Sequence, residues 1–262
     1  DLQNGKLKKV IKSDGPAIAS VAVSNNSQRI AVGDQSGKVF IWDLESYREL
    51  RSIETNSGVI NGLAFTREDK FLVSAGNDGL VKIWDISSGA LHRTLEGYDD
   101  PLMSVAVSMD GRLIAAGGNS SSIKIWDVDH GQLKREFDGH SGWVEAIAFS
   151  PDGKRIASGG RDGRILIWDI ETRQVTACLV NFDFLDWMVV NPSGYFNTTL
   201  DASRHLCIKV NGRSYSIEPY FQSFYKPGII KQALAGRAVG PSRFTDLDLT
   251  LPSVEILNPV NG

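Results

Sequence analysis

A Trp-Asp pair recurs along this chain at Trp42-Asp43, Trp84-Asp85, Trp126-Asp127 and Trp168-Asp169, each 42 residues after the last. A fixed period of this length restricts the fold to repeat architectures, in which one unit cannot bury its own faces and must stack on its neighbours. The flanks keep the same phase. KVFIWDL, LVKIWDI, SIKIWDV and RILIWDI all lead into the pair with alternating β-branched residues, the pattern of a strand.

A second column lies upstream, in Val21-Ala22-Val23, Leu63-Ala64-Phe65, Val105-Ala106-Val107 and Ile147-Ala148-Phe149. Both faces of this first strand are apolar, large on one side and alanine on the other, as a sheet sandwiched between sheets requires. A turn follows, clearest in Ser150-Pro151-Asp152-Gly153, where proline presets φ and glycine accepts a positive φ. Asn77-Asp78-Gly79 and Arg161-Asp162-Gly163 turn the second strand into the Trp-Asp strand, and a fourth strand such as Leu91–Leu95 leads onward. Four strands per unit, each unit needing a neighbour on both faces, predict an all-β chain: a β-propeller of four-stranded antiparallel blades. Four blades are clear, a degenerate fifth follows, and the whole is expected to be part of a larger propeller, ending in a short helix and a linker.

These motifs, over about residues 1 to 180, resemble the WD-repeat (WD40) family. That resemblance implies a hydrogen-bonded network linking Trp, a Ser or Thr, a His and an Asp. Trp168, Ser158, His140 and Asp162 match it in full, with Gly139-His140 as the usual dipeptide. The second blade keeps Trp84, Ser74 and Asp78 but has Asn56 in the histidine column, and the other two retain little beyond tryptophan. A Ser, a His and an Asp also spell a hydrolytic triad, but a nucleophilic serine must be exposed beside an oxyanion site, whereas Ser158 sits mid-strand after the apolar Ile156 and Ala157. The structural reading is adopted and no catalytic residue is assigned.

The period projected backwards places an aspartate at Asp1, so residues 1–13 are expected to be the outer strand of a preceding blade, with four blades over 14–180. A degenerate fifth is expected over 181–218, a helical segment interrupted near Pro227-Gly228 over 219–235, and a linker with the start of a further β domain over 236–262. The stretch DWMVVNPSGYFNTT followed by FYKPGIIKQALAG resembles the terminal module of prokaryotic proteins in which WD repeats precede a caspase-like peptidase. That implies a regulatory role toward an effector in the same polypeptide. Neither Cys178 nor Cys207 lies in a peptidase motif, so such a domain falls outside these residues. His205 and Cys207 stand two apart on one strand face, but no third or fourth metal ligand accompanies them.

The formal charge of -3 gives no general attraction to nucleic acid or anionic lipid, and no apolar run reaches the roughly 20 residues that span a bilayer. The expected setting is cytoplasmic, with another protein or peptide as partner, no nucleic acid as the main partner, no membrane and no cofactor or metal. Loops entering the first strand and turns before the third carry the candidate contacts: Trp143, Glu145 and Arg161 in the fourth blade, Met103 and Asn119 in the third, Asn61 and Asn77 in the second, Gln35 in the first. Trp143 beside Arg161 fits the composition of interface hot spots, although Trp143 also suits core packing. An interaction or sensing scaffold is the leading function. An architectural spacer is the alternative, and a central-channel enzyme the remote one.

Overall fold

The computed structural model of the chain describes residues 7, 9–11, 15–182, 186–199, 202, 206–210, 213–216, 221–237 and 253–256; at 206–210, 213–216 and 253–256 only the backbone is described. The chain divides into two compact units, residues 1–138 with 144–147, and residues 139–143 with 148–262.

The first unit holds three antiparallel sheets, each in sequential strand order. The first comprises β1 (Ile18–Val23), β2 (Arg29–Asp34), β3 (Lys38–Asp43) and β4 (Glu49–Glu54). The second comprises β5 (Ile60–Phe65), β6 (Phe71–Gly76), β7 (Val81–Asp85) and β8 (Leu91–Leu95), and the third β9 (Leu102–Val107), β10 (Leu113–Gly118), β11 (Ser122–Asp127) and β12 (Leu133–Asp138). The next sheet opens with β13 (Val144–Phe149), β14 (Arg155–Gly160), β15 (Arg164–Asp169) and β16 (Val175–Asn181).

The register shows why Trp and Asp recur together. Each tryptophan ends the third strand opposite an aliphatic residue of the second: Trp42 faces Ile30, Trp84 Leu72, Trp126 Ile114 and Trp168 Ile156. In all four blades the pairing with the fourth strand slips between the residue before the tryptophan and the tryptophan itself. An irregularity at one fixed place re-aims a side chain, and here it accompanies the large indole. The aspartate then holds the turn that follows. Asp43 accepts from the Ser46 amide and hydroxyl, Asp85 from the Ser88 amide and Ser87 hydroxyl, Asp127 from the His130 amide, and Asp169 from the Thr172 amide and hydroxyl. These bonds hold the Asp43, Asp85 and Asp127 carboxyls below their ordinary range, Asp85 to about 2.

Blades in the first unit bury their faces against each other. Ile60, Leu63 and Phe65 of β5 pack with Ala31, Val39, Ile41 and Ile53 of the blade before. The approach is close enough that a Cβ on Gly33 would lie 2.6 Å from Ile60 Cγ2, so glycine there makes room for the knob. Gly117 plays the same part: a Cβ on it would meet Val144 and Ile147 at 3.0 Å.

The fifth blade departs from the sequence expectation. β17 (Trp187–Val190) and β18 (Phe196–Thr198) form no sheet of their own but add to β16, making a six-stranded sheet in the order β13 to β18. Cys178 to Asn181 pair with Trp187 to Val190, and the short link from Asn181 to Trp187 favours the adjacent free edge over a new sheet. β19 (Leu206–Val210) pairs with β20 (Arg213–Ser216) and, on its other side, with β21 (Ser253–Ile256). The Ser253–Ile256 stretch, expected to open a separate β domain, therefore completes a three-stranded sheet: an extended segment satisfies its backbone groups on any open edge. Leu7 and Lys9–Ile11 adopt no strand, where the outer strand of a preceding blade was expected; Asp1 lies outside the described residues, as do His205 and most of the proposed linker.

The helical segment breaks as expected, into α1 (Phe221–Phe224) and α2 (Pro227–Leu234), with Pro227 in the first turn where its missing N–H costs nothing. Its aromatic face covers the edge of the six-stranded sheet. Phe224 packs with Met188 and Phe196, Phe221 meets Phe196 edge-on at 5.2 Å and stacks on Tyr225 at 5.1 Å, and Ile230 packs with Ala177 and Val189. The Lys226 amide donates to the Phe196 carbonyl, and the Arg155 guanidinium donates to the last carbonyl of α2 at Leu234.

Candidate interaction site

In the second unit the Arg161 amide donates to the Trp143 carbonyl at 2.9 Å, closing the mouth of the β13–β14 strand pair. The Arg161 guanidinium then lies over the Trp143 indole, 3.8 Å from the ring centroid. Trp143 is 36% exposed, which argues against the core-packing reading. A flat indole with a cation on its face makes a rigid plate holding both apolar area and hydrogen-bond donors.

The plate rests on a polar network. His140 Nδ1 lies 2.9 Å from an Asp162 carboxylate oxygen and its Nε2 lies 2.7 Å from Ser158 Oγ, while Trp168 Nε1–H donates to that hydroxyl at 2.8 Å. A carboxylate only accepts, so the ring hydrogen belongs on Nδ1, and Nε2 accepts from the Ser158 hydroxyl. Asp162 also takes the Ser141 amide and the Arg164 side chain. Burial works most strongly on Asp162 and against its charge, yet the bonds from Ser141, His140 and Arg164 together hold its carboxyl below the usual value. Ser158 is 1% exposed, its oxygen accepting from Trp168 and its hydrogen given to His140, so it is burial that keeps a substrate from the hydroxyl. Cys178 is a half-buried free thiol whose pKa burial pushes up, a poor nucleophile for the same reason.

In the second blade Trp84 Nε1–H donates to Ser74 Oγ at 2.8 Å, as the sequence expects. Asn56 does not fill the histidine position; it is exposed, with a φ of 55°. Lys82 fills it instead. Its buried ammonium pairs with Asp78 at 2.7 Å and donates to the Thr55 carbonyl and Ser57 hydroxyl. In the third blade Tyr98 occupies the histidine column, its hydroxyl donating to the Ala116 carbonyl at 2.8 Å with Lys124 over its ring. Both substitutes were visible as oddities, a lysine within an apolar strand and an aromatic 42 residues before His140, but neither was singled out.

The remaining candidates divide by role. Asn61 donates to Asn77 Oδ1 at 2.9 Å and to the Leu102 carbonyl at 2.7 Å, so it clamps the second blade to the third. Asn77, Gln35 and Glu145 are exposed, whereas Met103 and Asn119 are half-buried. Sequence reasoning also missed an arginine column at Arg51 and Arg93, 42 apart: Arg51 donates to the Ser87 and Ser88 carbonyls of the next blade, and a Cβ on Gly131 would lie 2.8 Å from Arg93.

Four-stranded blades whose third strands end in a capped Trp-Asp turn define a β-propeller protein. Its repeats are WD40 repeats: residues 131–169 match the family model for the WD domain, G-beta repeat, and residues 1–128 match that of the Nucleolar protein 10-like, N-terminal domain. The small ribosomal subunit protein RACK1 of Brassica napus is 38% identical over 65 residues, 25% of this chain and 20% of that protein. A chain in the crystal structure of the Mitotic Checkpoint Complex superposes with a TM-score of 0.60 at 24% identity, over 71% of this chain and 62% of that one. At that identity the likeness concerns the fold alone. The matched segment spans a fifth of RACK1's length and less than two thirds of the checkpoint chain. Among the described residues no helix is long and apolar enough to cross a membrane, and no cluster of His, Cys, Asp and Glu is placed to hold a metal ion.

Proposed function

We propose that this chain is a protein-interaction scaffold whose principal anchor is the Trp143–Arg161 plate. The stacked, exposed pair carries the reading, because large rigid aromatic and guanidinium groups supply most of the energy of protein interfaces at little entropic cost. WD40 propellers are typically binding scaffolds rather than enzymes; of the similar proteins, one is named as a ribosomal subunit protein and the other is a chain of a checkpoint complex. The finer reading is a cytoplasmic, prokaryotic regulatory propeller acting on an effector in the same polypeptide, such as a caspase-like peptidase. It rests on the resemblance of residues 186–235 to the module that precedes such domains.

Quantitative capture from a cell lysate by the immobilised chain tests the anchor. Proteins bound saturably by the wild type and lost by at least about tenfold with Trp143→Ala and with Arg161→Ala support it. An identical captured set for all three chains overturns it.

A further inference from the structure

Two grooves in the first unit occupy the same place in successive blades. One, of about 350 Å³, lies between the first and second blades; the other, of about 300 Å³, lies between the second and third. Adding 42 to Arg29, Asp69, Lys70, Ile86 and Ser87 of the first groove gives Phe71, Gly111, Arg112, Val128 and Asp129 of the second. The scaffold is shared, so the differing side chains show what each groove suits.

The second groove is mixed in charge. Phe71, stacked on His92 with centroids 4.5 Å apart, lines it, and Glu68, Asp110 and Asp129 face Arg67, Lys70 and Arg112 there. In the first groove Arg29 replaces Phe71, Leu50 replaces His92 and Ser87 replaces Asp129. At these positions the aromatic ring and one of the acids are absent and a guanidinium is gained. One carboxylate remains in the lining, Asp69, and it is already occupied, accepting from both nitrogens of Asn25 and from the Asn26 amide. Arg51 is likewise committed to the Ser87 and Ser88 carbonyls. Arg29 stands across the strand pair from Asp43, whose Oδ1 accepts from the Ser46 amide and hydroxyl. Lys70 sits over the Phe71 ring at 4.9 Å with its ammonium exposed. Two cations thus flank the half-exposed Leu50, which lies over the buried Ile41 and Ile86.

We propose that this groove docks an acidic, extended peptide segment, with one aliphatic side chain against Leu50 and carboxylates facing Arg29 and Lys70. The lining has no aromatic plate on which a base could stack, which favours a peptide over a nucleic acid, and its three cations against one committed carboxylate favour an acidic one. The proposal does not rest on the reading of Trp143 and Arg161 as an anchor.

Fluorescence anisotropy with the intact chain tests this, using a fluorescein-labelled peptide Glu-Asp-Leu-Glu-Glu and its Lys-for-acid counterpart. The acidic peptide is expected to bind saturably, to weaken as salt is raised, and to lose at least about tenfold in affinity with Arg29→Glu/Lys70→Glu. Leu50→Asp, at an exposed position that leaves the fold intact, is expected to weaken it too, whereas Trp143→Ala leaves it unchanged. Equal binding of the basic peptide, full affinity in Leu50→Asp or the charge-reversed variant, or tighter binding of an oligouridylate than of the acidic peptide would each overturn the proposal.

Discussion

At the scale of single residues, one architectural position is solved in three chemistries: His140 with Asp162, Lys82 with Asp78, and Tyr98 with a backbone carbonyl. The histidine solution was legible because its four partners sit at family spacings. The lysine was not, since a lysine on a strand ordinarily marks the solvent side, and only packing shows that Lys82 is turned inward. Removing one partner of such a pair leaves the other buried and unpaired. Lys82→Met is expected to cost about 3 kcal/mol in urea unfolding, at the low end for a broken buried pair because Asp78 keeps some water. Adding Asp78→Asn should restore part of the loss. An unaltered midpoint in Lys82→Met would mean that the ammonium contributes nothing. The Asp162 site has a pH signature. Its folded carboxyl is held below the ordinary value of 3.8, so it contributes stability that is present above that value and lost as pH falls through the lowered one. The melting temperature of the wild type should exceed that of Asp162→Asn at pH about 6, and the gap should close toward pH about 2. A constant gap would place the effect in packing rather than in charge.

At the scale of elements, the third strand was readable almost in full, because the irregularity at the tryptophan and the aspartate-capped turn after it repeat in all four blades. What the residues could not announce is where an edge strand pairs. β17 and β21 are short, and local pattern says only that each is extended; the choice of β16 and β19 as partners depends on which edges lie free in three dimensions. Stacking between blades is likewise a matter of single atoms. Gly33 stands where a side chain would strike Ile60 Cγ2 and Ser20 Oγ, and Ser20 in turn donates to the Ile60 carbonyl. Gly33→Ala is therefore expected to cost roughly 1–3 kcal/mol through overpacking, read from urea unfolding, although alanine is the better strand residue. Gly153→Ala meets no neighbouring atom, so its cost is limited to the strain of a φ of 66°. Equal losses in the two variants would show that the blades do not close on Gly33.

At the scale of the whole molecule, burial is uneven among equivalent positions. Ile60, Leu63 and Phe65 of the second blade are buried, as are Leu102 and Val105 of the third, because each packs on the blade before it. The matching residues of β1, Ile18, Val21 and Val23, are 46, 59 and 55% exposed. Three large aliphatic side chains on one strand face form a patch of the kind soluble proteins cover by association. Val21→Asp should therefore leave the melting temperature of this chain within about a degree and reduce its self-association in light scattering, since a charge placed in water costs little and opposes apolar contact. Leu63→Asp, the same change 42 residues later, buries its carboxylate between two blades and should unfold the first unit. The pair distinguishes an open blade face from a covered one: if Val21→Asp were as damaging as Leu63→Asp, the face of β1 would have to be packed in solution, and its exposed valines would be part of a core.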